Sequence, residues 1–311
     1  MDIVREGEKK MKSIVIKENE LTIGKLNEYN EDFISYLDVD DLTLRAYRCG
    51  INQFMQYLED NHIKQPTRNS IIAFRDYLRE NYSSCTVNSY MTSIKALFKY
   101  LELNNKYENI TRDIKGAKYS TTPKKQVLSL EQTKTIYNSL IDLREKALFG
   151  LMCSTGVRVC EVAKANIEDI KIHNGEVVLF LLRKKHSEKD EYVKLSNQTL
   201  NDIKNYIGER TSGSIFISTS NNSMNKPMST TSLRKEIKRI FKRFGLEEDT
   251  LSCHSLRRTF ACISYENGSS IYDIKQVLSH QNIQTTTRYL QQVDRDNNKT
   301  ELNVANMIFG G

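Results

Sequence analysis

Apolar residues recur three and four positions apart through much of the first hundred residues, a spacing that leaves little room for anything but packed helices. In "TLRAYRCGINQFMQYL", Leu44, Tyr47, Ile51, Phe54 and Leu58 fall on one stripe, the period of a helix with a single buried face. "TVNSYMTSIKALFKYLEL" repeats the pattern with Val87, Tyr90, Ile94, Leu97, Phe98 and Leu101, and "IGKLNEYNEDFISYL" and "SIIAFRDYLREN" supply two further candidates. The expectation is a domain of about four helices over residues 23–110, preceded by a short arm at 1–22.

The stripes stop at "TRDIKGAKYSTTPKKQ", residues 111–126, which is polar, basic and carries Gly116 and Pro123; this composition reads as a linker. A second domain, 127–297, opens on "SLEQ", where Ser129 and Gln132 form a capping box. Helices are expected at 129–140, 143–155 and 159–166. The alternation in "EVVLFLLRKKHSEKDEYVKLS" then gives strands near 176–183 and 191–195 around a polar tip, with more helices after it. The class is mainly α with a small β-sheet.

Charge is unevenly spread. Residues 1–121 hold 18 Lys and Arg against 18 Asp and Glu, whereas residues 122–311 hold 28 against 21. A basic second half suits a polyanionic partner. The longest purely apolar run, "VVLFLL", is far below the ~20 residues of a membrane span. The charged N-terminus "MDIVREGEKKMKSIVIKENE" lacks the apolar core of a signal peptide. The six cysteines include no C-x-x-C pair, so they read as reduced thiols and not as a zinc framework.

Four stretches can carry chemistry. In "STGVRVCEV", Gly156 can end a helix in the left-handed conformation, which sets Arg158 at the start of the next one with Glu161 a turn away to brace it; an ordinary surface ion pair is the plain alternative. In "HSLRRTF", His254 and Arg257 share a helical face, a pair suited to a phosphate oxyanion. Arg258 points elsewhere, toward backbone contact or plain surface charge. The hairpin tip "RKKHSEKDE" offers lysines that can reach a groove or give a proton to a departing alkoxide, or simply form a solvated turn. Finally, "IYDIKQVLSHQNIQTTTRYL" brings His280 and Tyr289 within nine residues. Taken singly, such a tyrosine fills a core more often than it reacts, since a phenol with a pKa near 10 needs help to lose its proton.

Together, the order Arg, Lys, His-x-x-Arg, His, Tyr resembles that of the tyrosine recombinases, or phage integrase family. "TGVRVCEV" is similar to the family's first-arginine motif, "HSLRRTFA" to its His-x-x-Arg motif and "LSHQNIQTTTRY" to its closing His–Tyr segment. The resemblance covers about 23–293. It implies a two-domain clamp, an N-terminal helical core-binding (SAM-like) domain plus an α/β catalytic domain. It also implies that Arg158 and Arg257 hold a scissile DNA phosphate, that Tyr289 attacks it, that His254 and His280 bond its oxygens and assist proton transfer, and that Glu161 supports Arg158. Lys184 is the candidate general acid, with Lys185 and Lys189 as alternatives, because the segment lacks the glycines the family often carries beside that lysine. The chemistry retains the ester energy in a 3′-phosphotyrosine, so neither a cofactor nor a metal is expected.

For binding, "SLRKEIKRIFKRFG" alternates Arg234, Lys235, Lys238, Arg239 and Lys242 with Leu233, Ile237, Ile240 and Phe241, a helix with one buried and one basic face that can meet phosphate or the major groove. Lys124, Lys125, Lys185 and Arg258 join the expected DNA contacts. The expected partner is double-stranded DNA with inverted-repeat core sites, bound by a homotetramer on paired sites and aided by accessory DNA-bending proteins. The apolar tail 298–311 is expected to be exchanged between protomers. The expected setting is cytoplasmic, associated with a bacterial or phage nucleoid. Two rival readings are a non-catalytic DNA-binding regulator of the same fold and an enzyme that relaxes DNA like a type IB topoisomerase.

Overall fold

A computed structural model describes residues 21–118, 126–183, 186–246, 250–287, 289–290, 304 and 307. It divides into two units, Met1–Thr121 and Thr122–Gly311. The expected arm lies outside the described residues except for Leu21, which is buried, and Thr22, which caps the first helix.

The first unit is built from α1 (Ile23–Tyr36), α2 (Asp41–Asp60), α3 (Arg68–Asn81) and α4 (Ser84–Leu103). Each starts where a short polar side chain, Thr22, Asp40, Thr67 or Ser83, accepts a hydrogen bond from the amide three residues on, which satisfies a donor that the first turn leaves orphaned. The stripes read from the sequence are the buried ones: Ile51, Phe54 and Leu58 of α2 meet Ile94, Leu97, Phe98 and Leu101 of α4 in one core. Each fully buried large apolar side chain there contributes roughly 1.5–3 kcal/mol.

The segment read as a linker starts as part of this core. Its Ile114 is buried there, beside Ile110 at the end of the helical domain. The side chain of Asn88 donates to the Ala117 carbonyl, and the Ala117 amide donates back to it, both at 2.9 Å. Arg79 donates to the Gly116 carbonyl at 2.7 Å. One isoleucine in an otherwise polar run, together with these hydrogen bonds, docks its start. Lys124 and Lys125 lie outside the described residues.

The second unit winds around α6 (Leu143–Thr155), whose Ala147, Leu148, Phe149, Leu151 and Met152 are all buried; a helix apolar around its circumference belongs at the centre of a unit. Around it stand α5 (Leu130–Ser139), α7 (Val159–Val162), α8 (Asn197–Ile207), α9 (Thr230–Arg243), α10 (Cys253–Glu266) and α11 (Ile271–Leu278), and residues 283–287 and 289–290 are also helical. The capping box of Ser129 and Gln132 is formed. The helix expected over 159–166 ends at Val162, because the chain from Asn166 bridges to Ser214.

The sheet has three antiparallel strands, β1 (Ile170–His173), β2 (Glu176–Leu181) and β3 (Glu191–Lys194), in that order. The β2–β3 hairpin pairs Leu179 with Val193. The sequence reading missed β1, although the signal was there: Asn174 and Gly175 both have positive φ, at 50° and 79°. An Asn-Gly pair between β-forming residues is a strong hairpin mark.

Candidate active site

Gly156 ends α6 in the left-handed conformation at φ 65°. A Cβ added there would come within 2.6 Å of Leu278 and 2.7 Å of Phe260, so both the backbone angle and the packing require glycine. The turn delivers Arg158 as the cap of α7, where its Nη1 donates to Glu161 at 2.7 Å. Glu161 is fully buried. Its other oxygen accepts from the Arg158 amide at 2.8 Å and from Nη1 of Arg183, also at 2.8 Å. The carboxylate is thus shared by two guanidinium groups.

Arg257, on α10, is 1% exposed. It donates through Nη1 to the Gly156 carbonyl at 2.7 Å and through Nη2 to the Leu278 carbonyl. Loss of hydration and the neighbouring charge of Arg158 push its pKa down to about 10, so it stays a cation at neutral pH. Leu278 is the last residue of α11, and the final carbonyls of a helix lack internal partners and carry its negative pole. A guanidinium is a natural occupant.

Ser279 follows in the left-handed region, at φ 48°, and turns His280 inward. His280 is buried, with Nδ1 2.8 Å from the Thr286 hydroxyl. Desolvation, then the charges of Arg257 and Arg158, push its pKa down to about 3. His254 stands at the rim, its residue exposed and its Nε2 against the part-buried Tyr289 hydroxyl. Partial desolvation, then Arg257, Arg258 and Arg158, push it down to about 4. Both imidazoles are therefore neutral at pH 7.

Tyr289 meets both. Its hydroxyl lies 2.7 Å from Nε2 of His254, and its ring packs edge-on against His254 and His280 at centroid distances of 5.6 and 5.4 Å. Burial raises its pKa, while Arg257, Arg158 and Arg258 pull the other way. The phenol rests protonated, beside a neutral imidazole able to accept the proton.

A cavity of about 270 Å³ opens beside these groups, lined by Arg158, His254 and Arg257 together with Arg234 and Lys238 of α9. The basic face of α9 is as expected: Arg234, Lys235, Lys238, Arg239 and Lys242 are exposed, while Leu233, Ile237, Ile240 and Phe241 are buried. Among the described residues, no group of three or more His, Cys, Asp or Glu side chains could hold a metal ion.

Two expectations need correction. Arg258 is not plain surface charge: it is buried, with its guanidinium carbon 5.6 Å from the centre of the Tyr289 ring, because the α10 face beside Arg257 is covered by the segment carrying Tyr289. Lys189, the third candidate for the acid, donates to the Lys164 carbonyl at 2.8 Å and pairs with Asp169, which ties it to the foot of the sheet. Lys184 and Lys185 lie outside the described residues. The sequence reading passed over Arg183. It heads a run of three cations, Arg183, Lys184 and Lys185, so nothing local marked it as the one that turns inward.

The "Phage integrase family" model matches residues 122–295, and the model "Phage integrase, N-terminal SAM-like domain" matches residues 26–105. Tyrosine recombinase XerA of Pyrococcus furiosus is 28% identical over 267 residues, covering 85% of this chain and 89% of that protein. Among solved structures, XerH site-specific recombinase bound to its difH substrate aligns with a TM-score of 0.68 at 17% identity, covering 93% of this chain and 98% of that one. A lambda integrase tetramer bound to a Holliday junction aligns with a TM-score of 0.69 at 18% identity, covering 88% and 79%. At such identities the structural likeness establishes a shared fold.

Proposed function

Because this chain belongs to the phage integrase family, we propose that it is a site-specific DNA recombinase that cuts and rejoins strands through a covalent 3′-phosphotyrosine at Tyr289. The observation carrying this reading is the contact between the Tyr289 hydroxyl and Nε2 of His254, 2.7 Å apart, beside the buried guanidinium of Arg257.

In this reading the phenol gives its proton to His254 as its oxygen attacks phosphorus. The P–O bond to the 5′ carbon breaks, and the departing alkoxide takes a proton from Lys184. Arg158 and Arg257 oppose the charge that grows on the non-bridging oxygens, and His280 donates a further bond to them. Losing one such donor typically costs about 3 kcal/mol of barrier, a hundredfold or more in rate. The reverse attack, by a 5′-hydroxyl of another strand, rejoins the backbone with no external energy source.

The partner in this reading is duplex DNA with inverted-repeat core sites. The basic face of α9 beside the cavity supports backbone contact there. The likeness to a lambda integrase tetramer on a Holliday junction supports a homotetramer on paired sites. The tail proposed for exchange lies outside the described residues apart from Val304 and Met307, both helical and exposed. Integration or excision of a mobile element and resolution of DNA dimers are both compatible with this chemistry.

The test is a nicked suicide duplex carrying the core site recovered by selection on the immobilised protein. Wild type should form a covalent adduct that survives denaturation. Tyr289→Phe should form none while still shifting the same duplex in a gel. An adduct that persists in Tyr289→Phe overturns the assignment; a wild type that binds but never links favours the non-catalytic regulator.

A further inference from the structure

We propose that Arg183 is a positioning residue that locks Arg158 and the His280 turn into one frame. The inference rests on the recombinase reading. Arg183 has a side chain 2% exposed, an unusual place for a guanidinium. It makes three polar contacts, each to a different part of the site. Nη1 donates to Glu161 at 2.8 Å, Nη2 donates to the Val277 carbonyl at 3.0 Å, and Nε lies 3.3 Å from Glu191.

Each contact has a consequence for a reacting group. Glu161 is the carboxylate that holds Arg158. With Arg183 on its far side it is balanced between two cations and fixed at both oxygens, so Arg158 is held at one height over the cavity. Val277 and Leu278 are the last two residues of α11, and their carbonyls accept from Arg183 and Arg257 respectively. The negative end of α11 is thus gripped by two buried cations. Glu191, which forms an ion pair with Arg183 without a hydrogen bond, accepts from the Ser279 hydroxyl, one residue before His280. The chain Arg158–Glu161–Arg183–Glu191–Ser279 joins the first-arginine turn, the hairpin and the histidine turn without passing through substrate.

Fixed geometry is what an electrostatic site needs, since misplacement by about 1 Å can cost about a hundredfold. A guanidinium suits this post better than an ammonium because its planar fork bonds Glu161 and the Val277 carbonyl at once while its charge faces Glu191.

The experiment compares the scissile phosphate with a scissile methylphosphonate, in which a neutral methyl group replaces a non-bridging oxygen and the demand for cationic neutralisation falls. Arg158→Ala, the reference, should lose adduct formation on phosphate and recover much of it, relative to wild type, on methylphosphonate. If Arg183 acts through Arg158, Arg183→Gln should behave alike: about a hundredfold slower on phosphate, within about threefold of wild type on methylphosphonate, with unchanged DNA affinity. Arg183→Lys, which keeps a charge for Glu161, should fall between. Equal losses on both substrates in a folded protein would make Arg183 merely structural, and equal rates would make it idle; either overturns the inference.

Should Arg183→Gln melt below the assay temperature, Glu191→Gln, at a half-exposed position, carries the comparison. It should show a smaller loss, about tenfold, with the same recovery on methylphosphonate, and an unchanged rate overturns the inference. A wild type that forms no adduct on phosphate removes the recombinase reading and the inference together. That outcome is told apart from the others because the failure then precedes any substitution at Arg183.

Discussion

The hydroxyl of Tyr289 and Nε2 of His254 are 2.7 Å apart, with desolvation and then three arginines depressing the basicity of the imidazole. A histidine held to about 4 is unprotonated at pH 7 and can accept the phenolic proton at once, although as a weaker base than free imidazole. His254→Gln keeps a hydrogen-bonding group but no base. It should slow adduct formation on the order of 10²–10⁴-fold and leave DNA affinity within about threefold of wild type. Single-turnover rates with the suicide duplex measure this, and a variant as fast as wild type would show that His254 only orients the ring.

Gly156 holds two parts of the site at once, since its left-handed turn releases Arg158 and its carbonyl accepts Arg257. Gly156→Ala adds a strained backbone, about 1–2 kcal/mol, and a methyl group inside contact distance of Leu278 and Phe260, about 1–3 kcal/mol. The expected outcome is a Tm lower by several degrees, roughly 2–4 °C per kcal/mol for a unit of this size, with a larger loss of cleavage than of binding. Calorimetry and the adduct assay read both quantities. An unchanged Tm would mean that the α6–α10–α11 junction is looser than these contacts imply.

Legibility followed the range of the interaction that fixes each element. Helical stripes, the Ser129 cap, the Gly156 turn and the Arg158–Glu161 pair are set within a few residues, and each could be read directly. The strand β1 was equally local, and its Asn174–Gly175 turn was overlooked because four residues give little periodicity. Arg183 and Arg258 are different. Arg183 is buried because Glu161, Glu191 and the end of α11 converge on it, and Arg258 because the segment carrying Tyr289 covers it; no local pattern encodes either event. Docking of Ile114 and Ala117 on the first unit also depends on distant partners, so composition alone made the start of that segment look unattached.

The exposed cations of α9 do not have equal prospects as phosphate contacts. Arg239 is paired with the buried Glu236 at 2.5 Å, whereas Arg234 and Lys238 line the cavity beside Arg158. Lys238→Ala and Arg234→Ala should each weaken binding across all sequences and reduce the slope of log K against log salt by about 1. Arg239→Ala should change the slope less, because its charge is partly offset by Glu236, which it shares with Arg144. Titrations at several salt concentrations decide this, and three equal slopes would place the duplex across the whole helix face.

His280 makes stability depend on pH, with a sign that burial dictates. Its folded pKa, about 3, lies below the ordinary 6.5, so between those values the unfolded chain binds the proton and the folded one does not. Its contribution to stability is therefore complete above about pH 6.5 and declines as pH falls toward 3, by about 1.4 kcal/mol per unit. His254 shifts in the same direction but sits at the exposed rim, so the buried His280 is the cleaner probe. Urea midpoints for wild type should fall between pH 7.5 and 5.5, and those of His280→Gln should fall less. His254 titrates in the same window, so the part of the fall that disappears in His280→Gln is the part that belongs to His280. A wild-type midpoint that stays level across it would mean that the His280 ring titrates in water instead of resting neutral against Thr286 under the arginine pair.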